Sequence, residues 1–402
     1  MSKKYKLYGY RWVILAVFVF INITMQMLWI TYAPITSLAA EYYGTTDLKI
    51  GYLSMVFMAA FIPLSIPVSW LIDTYGYRLA VSIGAVLMGV FGVTRGLADD
   101  NYGLVLASTV GIAIAQPFLL NAWTTIPAKW FSIDERATVV GLITLGNLLG
   151  TGIGMVVPPI LVEGGMPIAQ LQLIFGGIAA LSSVLFVVLA REDPPTPPCE
   201  AGQEERALML DGLKHALTVK PFWFYLFVSF VGLGIFNGVT TWVEKIIQPR
   251  GFTPTDAGTL GALMLVGGVL GAVIIPTFSD KSHKRQVFIL LGVLLAIPGL
   301  IGLIYARSAW LLFASAFEMG FFLVSVNPIG MQYAAEITHP TPEGTSNGLI
   351  QLFGQVSVVF VYIMEAMTTP EGSFTPSLLL AAALLVVCAL LVTQMKDPQT
   401  AE

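Results

Sequence analysis

The sequence predicts an all-α membrane protein: twelve transmembrane helices arranged as two pseudosymmetric six-helix bundles. Three observations carry this expectation: an extreme apolar composition, twelve apolar runs of bilayer-spanning length, and a repeat relating the first six runs to the last six. Of 402 residues, 56% are hydrophobic and 11% charged, against roughly a quarter charged in soluble domains. Mean hydropathy is +0.80. The formal net charge of -4 decides little, because in a membrane protein the placement of Lys and Arg carries the information.

The basic N-terminus, MSKKYKLYGYRW, leads into an apolar run longer than a signal-peptide core, so it reads as an uncleaved first span. A hydrocarbon core of about 30 Å needs about 20 apolar residues per helix. Runs of that size lie at 11–37, 50–72, 79–98, 103–125, 137–161, 168–190, 221–246, 257–279, 286–305, 309–333, 345–368 and 375–395. They are continuously apolar rather than alternating, so helices and not strands satisfy the backbone. With the N-terminus cytoplasmic, fifteen of the twenty Lys and Arg residues fall on the inner side. The positive-inside bias therefore predicts cytoplasmic termini and a multi-pass protein of the plasma or inner membrane.

The longest polar stretch, REDPPTPPCEAGQEER at 191–206, is proline-rich and charged, the makeup of a linker. It divides the chain into a bundle at 1–190, a cytoplasmic linker at 191–220 and a bundle at 221–402. After it, EERALMLDGLKHAL has the period of an amphipathic surface helix. Cys199 lies in the linker and Cys388 in an apolar run, so neither a disulfide nor a metal site is implied.

The repeat shows first in the turns. SWLIDTYGYR (69–78) holds Asp73, Gly76 and Arg78, and PTFSDKSHKR (276–285) holds Asp280, Lys284 and Arg285. Asp280 stands 207 residues beyond Asp73; the same offset pairs Gly141 with Gly348, and 208 pairs Trp29 with Asn237. Both turns are expected at the cytoplasmic mouth, as gate motifs of the two halves.

Two six-span halves with such turns resemble the major facilitator superfamily, whose loop between spans two and three reads G-x-L-a-D-x-x-G-x-R/K. Asp73, Gly76 and Arg78 fit it, and Ser69 stands at the first glycine. The resemblance implies that Asp73 faces a helix N-terminus of the other half when the inner gate is shut, a contact worth about 0.3 to 2 kcal/mol. The stretches RWVILAVFVF, YLSMVFM, PVSWLIDTYGYRL, LGNLLGTGIGMVVPPILV and EGTSNGLIQLFGQ are similar to the feline leukaemia virus subgroup C receptor family, associated with choline, ethanolamine and haem transport. That resemblance implies movement of a small organic solute through a cavity between the halves.

Such a cavity is expected near the midplane at the interface of the repeats. In span one, Asn22, Gln26, Trp29 and Tyr32 recur every three or four residues, a polar and aromatic stripe on one helix face. The resemblance gives Trp29 the role of one aromatic wall for an ammonium group, where cation-π attraction supplies about 2 kcal/mol when desolvated. The family carries tyrosine at the place of Asn237, so the second wall is missing unless Phe236, Trp242 or Trp123 supplies it. A family glutamine in span five falls on Leu148, whereas the one in span eleven is retained as Gln355. Gln116 and Asn121 in span four, with Asn327 and Gln332 in span ten, add candidate polarity.

Charge inside the spans is scarce. Glu318 lies about ten residues into span ten, or roughly 15 Å along a helix, where a carboxylate costs about 2.5 to 3.5 kcal/mol on insertion scales. It is the coupling candidate, although the matching family stretch has no acid there. Glu244 and Glu365 fall near outer span ends, Glu244 beside Lys245 as a candidate outer gate. Arg95 and Asp99, four residues apart, are expected to form a helix-end ion pair. His215, His283 and His339 all lie outside the spans, leaving no imidazole for a proton relay or for haem ligation. Gly146, Gly150 and Gly154 allow span five to approach a neighbour closely.

No phosphate loop, metal cluster or nucleophile beside a buried histidine is present in the sequence, so an enzyme is not expected, and no cofactor is implied. The expected partners are a small-molecule substrate and the bilayer, not nucleic acid, for a monomer. Three readings stay open: a carrier of an organic amine or cation such as choline or ethanolamine; a proton-coupled exporter or monocarboxylate or haem carrier; and a receptor that does not transport. No Lys or Arg is visible in the interior of spans one, four, seven, eight or ten, which argues against anionic substrates.

Overall fold

The computed structural model describes residues 6–196, 210–282, 284–339, 341 and 343–395. Cys199, His283 and most of the proline-rich linker lie outside them. Among the described residues twelve helices are long and apolar enough to cross a membrane, numbered here α1 to α12. They are Arg11–Ile30, Asp47–Tyr75, Tyr77–Leu97, Tyr102–Leu120, Ile133–Glu163, Ile168–Leu189, Lys220–Thr241, Pro254–Ser282, Arg285–Tyr305, Ala309–Ile337, a two-piece α11 (Glu343–Val356 and Val358–Ala366) and Thr375–Val392. Among the described residues no strand occurs. Among the described residues the twelve spans put Arg11 and Val392 on one side, called here the terminal face, with the far face opposite.

Local sequence starts and stops these helices. Thr46 caps α2 by accepting from the Lys49 N–H at 3.4 Å, and Asn101 caps α4 through Leu104 N–H at 3.0 Å; each satisfies an orphan first-turn donor. Gly76 ends α2 with φ +90°, a conformation costly for any residue with a Cβ. The first span is longer than its first helix: α1 stops at Ile30, two turn residues follow, and the chain continues through a 3-10 turn Ala33–Ile35 and a short helix Thr36–Tyr42. α7 breaks in the same way at Trp242, before a short helix Val243–Ile247.

Close helix pairs within each half rest on small residues. Gly150 sits against the backbone of Ile23, and Gly154 has Met27 O at 2.9 Å from where its Cβ would be. The Gly146, Gly150, Gly154 stripe thus seats α5 on α1. Gly267 and Gly271 of α8 meet the Phe317 and Phe321 carbonyls of α10 in the same manner. Lipid supplies no hydrophobic drive between helices, so such backbone approach is how they gain dispersion contacts.

The buried apolar residues form two clusters. One is built from residues 14–190, the other mainly from residues 216–395. Ile30, Ala33, Met55, Met58 and Met155 are exceptions: they belong to the first half of the chain and lie in the second cluster.

Candidate functional site

Those five residues mark a seam between the halves near the far face. Trp242, fully buried, lies against Gly51 of α2, which has no side chain to obstruct it, and its Nε1 donates to the Val361 carbonyl at 3.0 Å. Across the molecule, Met155 of α5 fills the matching place at Gly258 and Gly261 of α8. Polar bridges lie outside this apolar seal. The Ser37 N–H donates to Glu244 Oε2 at 2.8 Å, Lys245 donates to Ser37 Oγ at 3.2 Å and pairs with Asp47 at 2.9 Å, and Thr255 donates to Glu163. Glu244 is only 2% exposed. Burial pushes its carboxyl above the usual carboxylate range, opposed by the Ser37 hydrogen bond and by Lys245.

Just inside the seal stand Trp29 and Asn237. Trp29 is half-buried, packs against both apolar clusters, and donates its Nε1 to the Ser54 carbonyl at 3.2 Å. Asn237 donates to Ser357 Oγ at 3.3 Å. It precedes Trp242 by five residues, or about 7.5 Å along a helix. Ser54 is three residues inward of Gly51, so the two side chains stand at similar depth on opposite halves. Gln355 of α11 is half-buried two residues before Ser357.

The remaining candidates divide. Gln26 and Tyr32 are buried within the first cluster's half, and the Tyr32 hydroxyl pairs with that of Tyr43 at 2.9 Å, so Tyr32 faces the bundle core. Asn121 reaches across to α2, donating to Ser65 O at 2.8 Å and Ser69 Oγ at 3.0 Å. Gln116 Oε1 and Trp123 Nε1 are buried without a hydrogen-bond partner. Trp242, a candidate substitute for the missing aromatic wall, is held in the seal by Gly51 and Val361 and cannot serve as that wall while the seam is closed. Phe236 is half-buried against the second cluster.

Glu318 is placed away from this region. α10 turns Phe317, Gly320, Phe321 and Val324 toward α8, and Ser315, Met319 and Val326 toward α9. At about 100° per residue, Glu318 shares a side with the exposed Leu311 and Ala314. It lies about 180° from Asn327, whose carbonyl accepts from Tyr225 of α7. Span depth was legible from counting; facing was not, because apolar residues surround α10 on every side.

The expected Arg95–Asp99 pair does not form. Asp99 accepts from Tyr42 at 2.6 Å. Arg95 is 1% exposed and turned inward, its Nη1 donating to the Leu28 carbonyl at 3.0 Å.

At the terminal face the two gate turns are built differently. The Glu192 carboxylate accepts from the Tyr77 and Arg78 N–H groups at 3.2 and 2.7 Å and fills the space beside Gly76. It sits where the helix dipole favours an anion. Lys129 bonds the same carboxylate at 2.5 Å. In the second half, Arg285 bonds Asp280 directly and Glu336 at 3.2 Å. Asp73 and Lys284 are exposed. Glu192 and Glu336 carry no mark in the sequence, since Glu192 opens the charged linker and Glu336 follows an apolar run, places where an acid is ordinary.

The fold, with its two apolar clusters and twelve membrane-length helices among the described residues, and the family match that follows define the class: a membrane carrier. The chain matches the Major Facilitator Superfamily over residues 13–361 and 245–401. It is 30% identical over 403 residues to the choline/ethanolamine transporter flvcr2b of Danio rerio, covering 95% of this chain and 83% of that one. To the choline/ethanolamine transporter FLVCR2 of Homo sapiens it is 28% identical over 405 residues, 96% of this chain and 77% of the other. A solved bacterial homolog of the human lysosomal transporter Spinster superposes with a TM-score of 0.77 at 15% identity, covering 99% of this chain and all of that one. The chain belongs to the major facilitator superfamily, within the feline leukaemia virus subgroup C receptor family of transporters.

Proposed function

We propose that this secondary transporter moves a small organic amine or cation, choline or ethanolamine by chemistry, by alternating access between its two halves. The observation that carries the reading is Trp29: it stands just inside the seal, touches both apolar clusters, and is oriented by its bond to Ser54. An ammonium over its ring gains about 2 kcal/mol once desolvated. Asn237 and Gln355 offer amide oxygens that accept from a primary ammonium or a hydroxyl. The named relatives transport choline and ethanolamine, which supports the same class here.

The units that move are taken as residues 1–190 and 221–402, joined by 191–220, with the terminal face cytoplasmic and the protein a monomer in the plasma or inner membrane. The gate residues on that face are Asp73, Gly76, Arg78, Asp280, Lys284 and Arg285. Uptake of choline and of ethanolamine into proteoliposomes tests the substrate, with Trp29→Ala as the variant. Saturable uptake that falls about tenfold or more in Trp29→Ala is expected. Uptake insensitive to that change refutes the site, and no uptake of either amine refutes the substrate class.

A further inference from the structure

We infer that Arg95 is a positioning residue of the far seam, holding the break in the first span so that residues 33–37 reach the other half. The inference rests on the alternating-access reading above. A guanidinium in the interior of a membrane protein is costly, and this one is poorly compensated. Among the described ion pairs none includes Arg95, and its Nε and Nη2 meet no hydrogen-bond acceptor. An apolar side chain of similar length would fill the space without that desolvation cost. Stability alone therefore does not account for a guanidinium here.

What Arg95 does is legible in its two contacts. Its Nη1 donates to the carbonyl of Leu28, in the last turn of α1, where the final carbonyls of a helix lack partners. Its guanidinium carbon lies 5.5 Å from the centre of the Tyr32 ring, in the turn that follows. The Thr31 hydroxyl occupies the adjacent Met27 carbonyl at 2.5 Å. These contacts grip both sides of the break. Beyond it come Ala33, buried in the second half's cluster, and Ser37, whose N–H bonds Glu244. α3, which carries Arg95, thus fixes the direction in which the chain leaves α1 and enters the seam.

The second half does this differently. The repeat offset of 207 places Gly302 opposite Arg95 in sequence (95 + 207 = 302). There the α7 break is held by Trp242 through Val361. The pin on the first span is therefore a buried arginine carried by α3, whereas in the second half Arg250, beyond the α7 break, bonds the Ile246 carbonyl at 3.3 Å and the Ala306 carbonyl after α9 at 2.8 Å.

The test uses full-length protein in proteoliposomes carrying Ala33→Cys and Cys199→Ser. A membrane-impermeant maleimide is applied from the far face, and labelling is read separately at position 33 and at the buried Cys388 by mass spectrometry. Arg95→Met is expected to speed labelling at position 33 by about tenfold or more, the scale of a lost charged hydrogen bond. Thr31→Val, a smaller lesion at the same break, shifts it in the same direction. Arg95→Lys, which keeps a donor but loses the planar guanidinium over Tyr32, falls between the parent and Arg95→Met. Cys388 stays unlabelled throughout. Unchanged labelling at position 33 in folded Arg95→Met and Thr31→Val overturns the inference. So does a joint rise at positions 33 and 388, which reports a loosened bundle instead. Substrate-dependent labelling at position 33 in the parent is a separate readout: its absence during intact uptake counts against alternating access at this seam, whatever Arg95 does.

Discussion

Gly51 and Gly258 stand 207 residues apart (258 − 51 = 207), and each receives the opposite half where its own side chain would be. Trp242 lies against the first; the Met155 carbonyl stands 2.6 Å from where a Cβ would sit on the second. Glu244 and Ser37, separated by the same 207 residues, bond each other directly. Repeat mates that touch lie beside the axis relating the two halves, so the seam closes around that axis.

A wedge at either glycine is therefore expected to hold the seam open. Overpacking a close contact costs about 1 to 3 kcal/mol, which is about 5- to 150-fold in the closed-to-open ratio. Gly51→Ala and Gly258→Ala are each expected to raise thiol labelling at an Ala33→Cys probe and to slow uptake, while thermal unfolding shifts little. A wedge that lowers the unfolding temperature and leaves labelling untouched would show that these glycines serve packing within the halves.

The buried carboxylate of Glu244 is expected to make seam closure depend on pH. The groups facing it are Ser37 from the first half, Lys245 beside it, and Asp47, which Lys245 pairs; Asp47 in turn acts on Glu365. With the seam closed, burial raises its proton affinity; open and wetted, it returns to the ordinary carboxylate value of about 4.3. The closed form thus binds more protons, so closure is favoured at low pH and lost as pH rises through the raised value. Glu244→Gln is expected to flatten the pH dependence of labelling at position 33. Glu318→Gln, on the opposite side of α10 from Asn327, is expected to leave it and the uptake profile unchanged. The reverse pattern would return the proton-sensitive role to Glu318.

Much of this architecture was readable because its signals are periodic. Bilayer thickness sets the length of each apolar run, and gene-scale repetition sets the 207-residue offset, so twelve spans and the Asp73–Asp280 pairing follow from counting. Facing did not follow, since lipid and core are both apolar and no polar stripe distinguishes them on α10; the side on which Glu318 stands was therefore not legible from its depth. Arg95 misled for a related reason. Four-residue spacing to Asp99 satisfies the local rule, but Asp99 lies past the end of α3 at φ +48°, which turns it toward Tyr42. The same offset that paired Asp73 with Asp280 also pairs Gly51 with Gly258, a match visible in sequence whose meaning appears only once the halves meet.

Asn237 offers the sharpest test of specificity. At a depth similar to Trp29 but on the other half, its amide Nδ2 donates to Ser357 Oγ at 3.3 Å; the amide oxygen can accept from the N–H groups of a primary ammonium but offers no aromatic face to a quaternary one. The family resemblance read from the sequence implies a tyrosine at this place, and introducing one supplies a second ring at the depth of Trp29. Asn237→Tyr is therefore expected to tighten choline by about 30-fold, the equivalent of about 2 kcal/mol of cation-π attraction. Ethanolamine gains less, because the same change removes an acceptor. Competition binding with both amines, run beside Trp29→Ala, reads the ratio directly. A choline-to-ethanolamine ratio that does not move in Asn237→Tyr, with Trp29→Ala still abolishing both, would place the ammonium against Trp29 alone and remove Asn237 from the site.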